Sequence, residues 1–98
     1  MSTSEIPVAI RPLHVEIDGI SKYRQAYTAD DLAGFLLSEQ WPASGKRQPG
    51  FHRAVATSLD AMELYLDPDV ARAAFVEAAH EAGMRVLPDD VNEMKITS

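Results

Sequence analysis

Apolar and polar residues alternate from Val8 to Ile17. Leu13, Val15 and Ile17 share one phase; His14, Glu16 and Asp18 share the other. A period of two is that of a β-strand with one covered face. Pro12 cannot donate a ladder hydrogen bond, so it marks a strand start or an edge, and Val8 and Ile10 before it fall in the opposite phase. Asp18-Gly19 reads as a turn, and a second strand is predicted from about Lys22 to Tyr27. Directly opposed residues share a face. A two-residue loop would set Val15 against Lys22; a three-residue loop sets it against Tyr23, and a five-residue loop sets Ile17 against Tyr23 and Glu16 against Arg24. Loops of odd length are therefore predicted.

The period then changes to that of a helix. Thr28 is placed to cap a helix over about 29–40, with Asp30 and Asp31 at its positive end. Leu32, Ala33, Leu36, Leu37 and Trp41 form its stripe, Phe35 widens it, and Pro42 ends it. Residues 42–50, with two Pro and two Gly, read as a loop. A second helix is predicted over about 51–66, with Phe51, Ala54, Val55, Leu59, Met62 and Leu66 on one face and Ser58 inside that stripe. Back-bonding to a carbonyl one turn earlier would account for Ser58.

Asp67-Pro68-Asp69 opens a third helix with a cap, a proline in the first turn and an acid beside it. Ala71, Ala74, Phe75, Ala78, Ala79 and Ala82 give that helix a face of mostly small residues, suited to close packing, and Gly83 suits the left-handed residue that ends it. Met84 to Leu87 is a short strand stopped by Pro88. The order is β-β-α-α-α-β. An α+β fold is predicted, with the three helices on one face of a small sheet and His14, Glu16 and Arg24 on the watered face.

The chain has 98 residues, which fits one domain, ordered over about 8–88 with polar tails at 1–6 and 89–98. An apolar share of 46% argues against global disorder. No run approaches the ~18 apolar residues that span a bilayer. Met1 to Pro7 has neither a basic nor an apolar region, so no signal peptide is expected. The absence of Cys excludes disulfides, thiolate chemistry and cysteine metal sites, and fits a cytoplasmic setting. The net charge of −6 argues against broad nucleic-acid binding. That charge is segregated: 44–53 carries Lys46, Arg47 and Arg53 with no acid, and 60–69 carries Asp60, Glu63, Asp67 and Asp69 with no base.

The run TADDLAGFLLSEQWP, the start of the second helix at His52-Arg53-Ala54, and the run ARAAFVEAAHEAGMRV together resemble an uncharacterised bacterial family, domain of unknown function family 982. The resemblance spans about residues 8–88. It rests on Trp41-Pro42, on His52 with Val55 where Ala is usual, and on Ala71, Arg72, Ala74 and Phe75. It implies a small cytoplasmic α+β domain and implies no activity.

Candidate chemistry is sparse. His80-Glu81 begins like the zinc-protease helix motif, but Met84 stands where the second His belongs, and His14, His52 and His80 lack metal-ligand spacing. Neither phosphate-loop nor dinucleotide motif occurs, and no cofactor is expected. The acid pairs at 30/31 and 67/69 are explained by capping. One constellation stands out: Lys46, Arg47, His52 and Arg53 place positive charge at a helix start, where it is otherwise unfavourable. Either a bound anion or an acidic neighbour would answer it, and Arg72 joins if the two helix starts converge. Trp41, at the end of the first helix, reads as core or as an anchor for a partner.

The expectation is a non-enzymatic binding or regulatory module that holds an acidic small molecule or protein through this basic loop, as a monomer or weak homodimer. The alternatives are a small enzyme with His52 as general base and Arg53 or Arg72 stabilising negative charge, or a homodimeric interaction domain with Leu64 and Val76 in its seam.

Overall fold

A computed structural model of the chain describes residues 8–17, 22–64 and 66–90. Strands β1 (Ala9–Glu16) and β2 (Tyr23–Thr28) precede helices α1 (Ala29–Leu36), α2 (Pro49–Leu64) and α3 (Pro68–Glu81), and β3 (Val86–Leu87) follows. A 3₁₀ turn at Gly45–Arg47 breaks the connection between α1 and α2. The sheet order is β2-β1-β3 with both pairings antiparallel, so β1 is central. Leu13, Val15, Ala26 and Val86 are buried beneath the helices. α1 lies against β2, α3 lies against β1, and α2 packs on α1 and α3.

Both phases of β1 face inward because the strand bulges. Ala9 pairs with Thr28 and Leu13 with Ala26, so β1 spends four steps where β2 spends two. The extra residues surround Pro12 and let Ile10 and Leu13 share the core. The hairpin register differs from both odd-loop predictions by one residue: Val15 lies opposite Arg24 and Glu16 opposite Tyr23. An offset of one residue exchanges the faces of a strand. Ala26 thereby becomes the inward residue of β2, while Tyr27 is exposed and hydrogen-bonds Gln25, which bonds His14 in turn. Arg24, opposite Val15, reaches solvent from an edge strand. The turn predicted at Asp18-Gly19 lies outside the described residues, as do residues 1–7 and 91–98.

α1 begins as predicted, with Thr28 Oγ1 accepting from Asp31 N at 3.1 Å. It ends at Leu36, well before the predicted limit at 40, because Ser38 turns both its amide (3.2 Å) and its hydroxyl (2.9 Å) onto Phe35 O. Trp41 is therefore on a turn, not on the helix, and folds into the core between Phe51 and Phe75 at centroid distances of 6.1 and 5.5 Å. α2 starts at Pro49, which suits a first helical turn. Its buried face is Phe51, Ala54, Ser58 and Ala61, whereas Leu66 lies past its end and is exposed. Thr57, not Ser58, back-bonds, with Oγ1 donating to Arg53 O at 2.8 Å. Ser58 is fully buried, and its Oγ has no hydrogen-bond partner among the described residues. Val76 is partly buried and packs against the core.

α3 carries both predicted ends. Asp67 Oδ1 accepts from Asp69 N at 2.9 Å, and Gly83 takes φ +84°. Gly83 N donates to His80 O at 3.0 Å and Met84 N to Ala79 O at 2.8 Å, which reverses the chain toward β3.

Residues 89 and 90, predicted to open a polar tail, are structural. Asp90 is buried: its Oδ2 accepts from Val86 N at 2.6 Å, and its Oδ1 lies 3.0 Å from His80 Nε2. Asp89 grips Arg72 through two bonds of 2.8 and 3.1 Å. Arg72, only 3% exposed, also donates from Nε to Arg11 O at 2.8 Å and from Nη2 to Pro12 O at 3.5 Å. Two consequences are measurable by urea denaturation. Arg72→Ala should lower stability by about 3 kcal/mol or more, since it strands the groups it satisfied. The hydrogen bond from Arg72 holds the Asp89 carboxyl below its ordinary 3.8, against the opposing effect of burial. A depressed folded value means that the unfolded chain takes up the proton first as acid is added. The Asp89 contribution is thus complete above the ordinary value and is lost as pH falls through the folded one. Asp89→Asn should flatten the acid limb of the stability profile as pH falls below the ordinary carboxyl value.

Candidate functional site

The basic segment is shaped by its turns. Pro42 O accepts from Gly45 N at 3.0 Å and from Lys46 N at 3.2 Å, winding 42–47 into a compact knot. Gly45 sits so close to α3 that a Cβ there would lie 2.7 Å from Ala82 Cβ and 3.1 Å from Trp41 Nε1. Gln48 is extended and leads into Pro49 at the start of α2.

Gln48 cannot cap a helix as Ser, Thr, Asp or Asn would, and the first turn of α2 has no acid. The missing acceptor arrives from α3. Gly50 N donates to Glu81 Oε1 at 3.1 Å, and a Cβ at position 50 would meet that carboxylate at 2.5 Å. One turn further on, Arg53 Nη1 contacts Glu77 Oε1 at 3.2 Å, with both side chains largely exposed. The misfit of positive charge at a helix start is thus answered by an acidic neighbour. Glu77 and Glu81 are spaced by one turn on α3 and meet residues of matching spacing on α2.

The six predicted residues do not form one cluster. Lys46, half-buried, and Arg47, exposed, have no ion-pair partner among the described residues. His52 is exposed and edge-on to Phe51 at 5.5 Å, with no carboxylate hydrogen-bonded to it among the described residues. Arg53 shares this surface but is engaged by Glu77. Arg72 is on the sheet side of α3, bound to β1 and Asp89, so the helix starts do not bring it here. Trp41 is 2% exposed and presents no surface to a partner; its Nε1 has no hydrogen-bond partner among the described residues. Among the described residues, no group of three or more His, Asp or Glu is arranged to hold a metal, and no helix is long and apolar enough to cross a membrane.

Glu77, Glu81, Asp89 and Asp90 were missed from sequence. For Glu81 a signal existed: a helix start without a capping side chain needs an acceptor from elsewhere. For Asp89 and Asp90 none did, because their partners are brought close only by the tertiary fold.

The model of a protein family described as "Protein of unknown function (DUF982)" matches residues 11–86, and the chain belongs to that family. No curated protein and no solved structure matches the chain. Most residues that carry the family likeness are packed ones: Trp41, Ala71, Arg72, Ala74 and Phe75 are all buried.

Gly45→Ala should destabilise the domain by about 1–3 kcal/mol, since its Cβ meets another Cβ and not a flexible side-chain tip. Glu81→Ala should cost about 1 kcal/mol by uncapping α2. Thermal unfolding of both variants checks this, and Gly45 should be the more sensitive position.

Proposed function

We propose that the protein is a non-enzymatic binding module that receives an acidic protein segment on the surface formed by Lys46, Arg47 and His52. The observation that carries this reading is the pair of cations, Lys46 and Arg47, with no ion-pair partner among the described residues, beside a helix start already occupied by the chain's own Glu81. A small anion seeking the amides of α2 must compete with an intramolecular carboxylate. A partner contacting the outer side chains need not. Long cationic side chains on a compact, glycine-anchored turn suit a solvated acidic segment, and such contacts favour fast association over great strength. A cytoplasmic setting is part of this proposal, with which a Cys-free chain is compatible.

A weak homodimer is the second reading. Leu64, Leu66 and Val70 are each at least half exposed within seven residues at the corner between α2 and α3. Three neighbouring exposed apolar side chains favour a partner surface more than scattered ones do.

Titration of the ¹⁵N-labelled protein with a glutamate-rich peptide tests the first reading. Amide shifts should centre on Lys46, Arg47 and His52, and Lys46→Ala with Arg47→Ala should weaken binding about ten-fold, equivalent to about 1.4 kcal/mol. Binding unchanged in that double variant would overturn it. Sedimentation over a range of concentrations separates the dimer reading.

A further inference from the structure

The seam between α2 and α3 changes along its length. At one end polar contacts join the helices: Gly50 N donates to Glu81 Oε1 at 3.1 Å, and Arg53 Nη1 to Glu77 Oε1 at 3.2 Å. Residue numbers rise on α2 as they fall on α3, so the helices run antiparallel. Carried on by whole turns, this register sets Thr57 against Ala73 and Asp60 against Val70, with Leu64 one turn beyond. Val70 N donates to Asp67 O at 3.1 Å, so a single turn of chain separates Val70 from Leu66. The far end of the seam is an apolar ledge. Leu64, Leu66 and Val70 are 63%, 50% and 53% exposed.

Acids stand along this ledge without cations. Residues 54–71 contain four acids and no Lys, Arg or His. Asp69 is answered from outside the segment by Arg11, at 3.7 Å. Asp67 uses Oδ1 to accept from Asp69 N at 2.9 Å. Asp60, Glu63 and Asp67 take part in no ion pair among the described residues. Glu63 and Asp67 are exposed, and Asp60 is half-buried beside Leu64 on α2.

We propose that this ledge docks an amphipathic helix of a partner protein, whose apolar residues cover Leu64, Leu66 and Val70 and whose Lys or Arg residues meet Asp60, Glu63 and Asp67. Two antiparallel helices leave a groove between their axes, and a third helix enters such a groove by its apolar stripe. Charge complementarity selects the occupant. An apolar segment bearing acids would set like charges together, and residues 54–71 hold no cation to offset them. A two-fold contact between copies has the same defect, because each copy brings the same acids to the same face. The homodimer reading shares this ledge, and the charges favour a foreign, cation-bearing helix over it. Three part-exposed apolar side chains make a small area, which suits a transient contact. The basic turn at Lys46 and Arg47 takes no part.

The test uses the whole ¹⁵N-labelled protein and a synthetic helical peptide with two Leu one turn apart, flanked by Lys. One control peptide carries Glu in place of Lys, and another carries Ser in place of Leu. Amide shifts should centre on Asp60, Glu63, Leu64 and Val70 and spare Lys46 and Arg47. Each control peptide should bind about ten-fold more weakly or worse. Asp60→Asn with Glu63→Gln should weaken the Lys peptide by about 3-fold or more at low salt and reduce the salt dependence of its binding. Leu64→Ser with Val70→Ser should weaken it by about ten-fold. Both sites are exposed, and unchanged amide positions at Ala78 and Ala79 verify the fold. No shift at these residues under millimolar Lys peptide would overturn the proposal, and so would equal binding of the Glu peptide. Self-association seen by sedimentation and lost in the Leu64→Ser, Val70→Ser variant would assign the ledge to a second copy and overturn it as well.

Discussion

Arg72 is the constraint around which this small fold is organised. Burying a guanidinium is expensive unless its donors are satisfied. Here its fork meets the Asp89 carboxylate on one side and the carbonyls of Arg11 and Pro12 on another. Those carbonyls lie in the bulge of β1, where β3 is too short to reach: β3 pairs only with His14 and Val15. A helix side chain therefore completes a sheet edge, and the same group fixes the turn that follows β3. Three parts of the chain, 11–12, 72 and 89, are tied by one residue. A second tie, from His80 through Asp90 to Val86, runs parallel to it.

With α3 fixed to the sheet, the rest of the helical layer follows. The alanines of α3 let α2 approach closely, and Trp41, Phe51, Phe75 and Phe35 fill the end of that interface as a chain of tilted and edge-on rings. Close approach also brings the acids of the last turns of α3 onto the start of α2. The electrostatic consequence is a division of labour along α2. Its first turn is neutralised from within by Glu77 and Glu81, so the cations left over at Lys46 and Arg47 belong to the surface and not to the helix. The acids at 60–69 gather at the opposite end, where Asp69 is 3.7 Å from Arg11.

The features legible in the sequence were those written locally. The cap at Thr28, the proline and aspartates opening α3, the positive-φ glycine at 83 and the inward phase of Leu13 and Val15 each need only a few neighbouring residues. The features that were not legible depend on distant partners. Ser38 ends α1 early because it competes for Phe35 O while Trp41 is drawn into the core. The hairpin register turns on the fact that Ala26, not either tyrosine, fits the inward site of β2. Asp89 and Asp90 look like the start of a tail until Arg72 and His80 are beside them. The candidate site divided in the same way: the basic segment was visible, whereas burial removed Trp41 and Arg72 from it and Glu81 supplied the acidic neighbour whose identity spacing could not give.

A domain of this length has little surface to bury, and long strands or extra turns would each cost chain entropy. The structure answers exposed backbone polarity with single side chains from other elements. Arg72 stands in for a longer β3, Asp90 for a further strand outside Val86, Asp31, which accepts from Tyr27 N, for a neighbour of β2, and Glu81 for the cap that Gln48 cannot provide. Each substitution fixes one side chain in place of several backbone residues. Each also specifies a tertiary contact, so the devices that satisfy the backbone are the ones that set how the helices sit on the sheet.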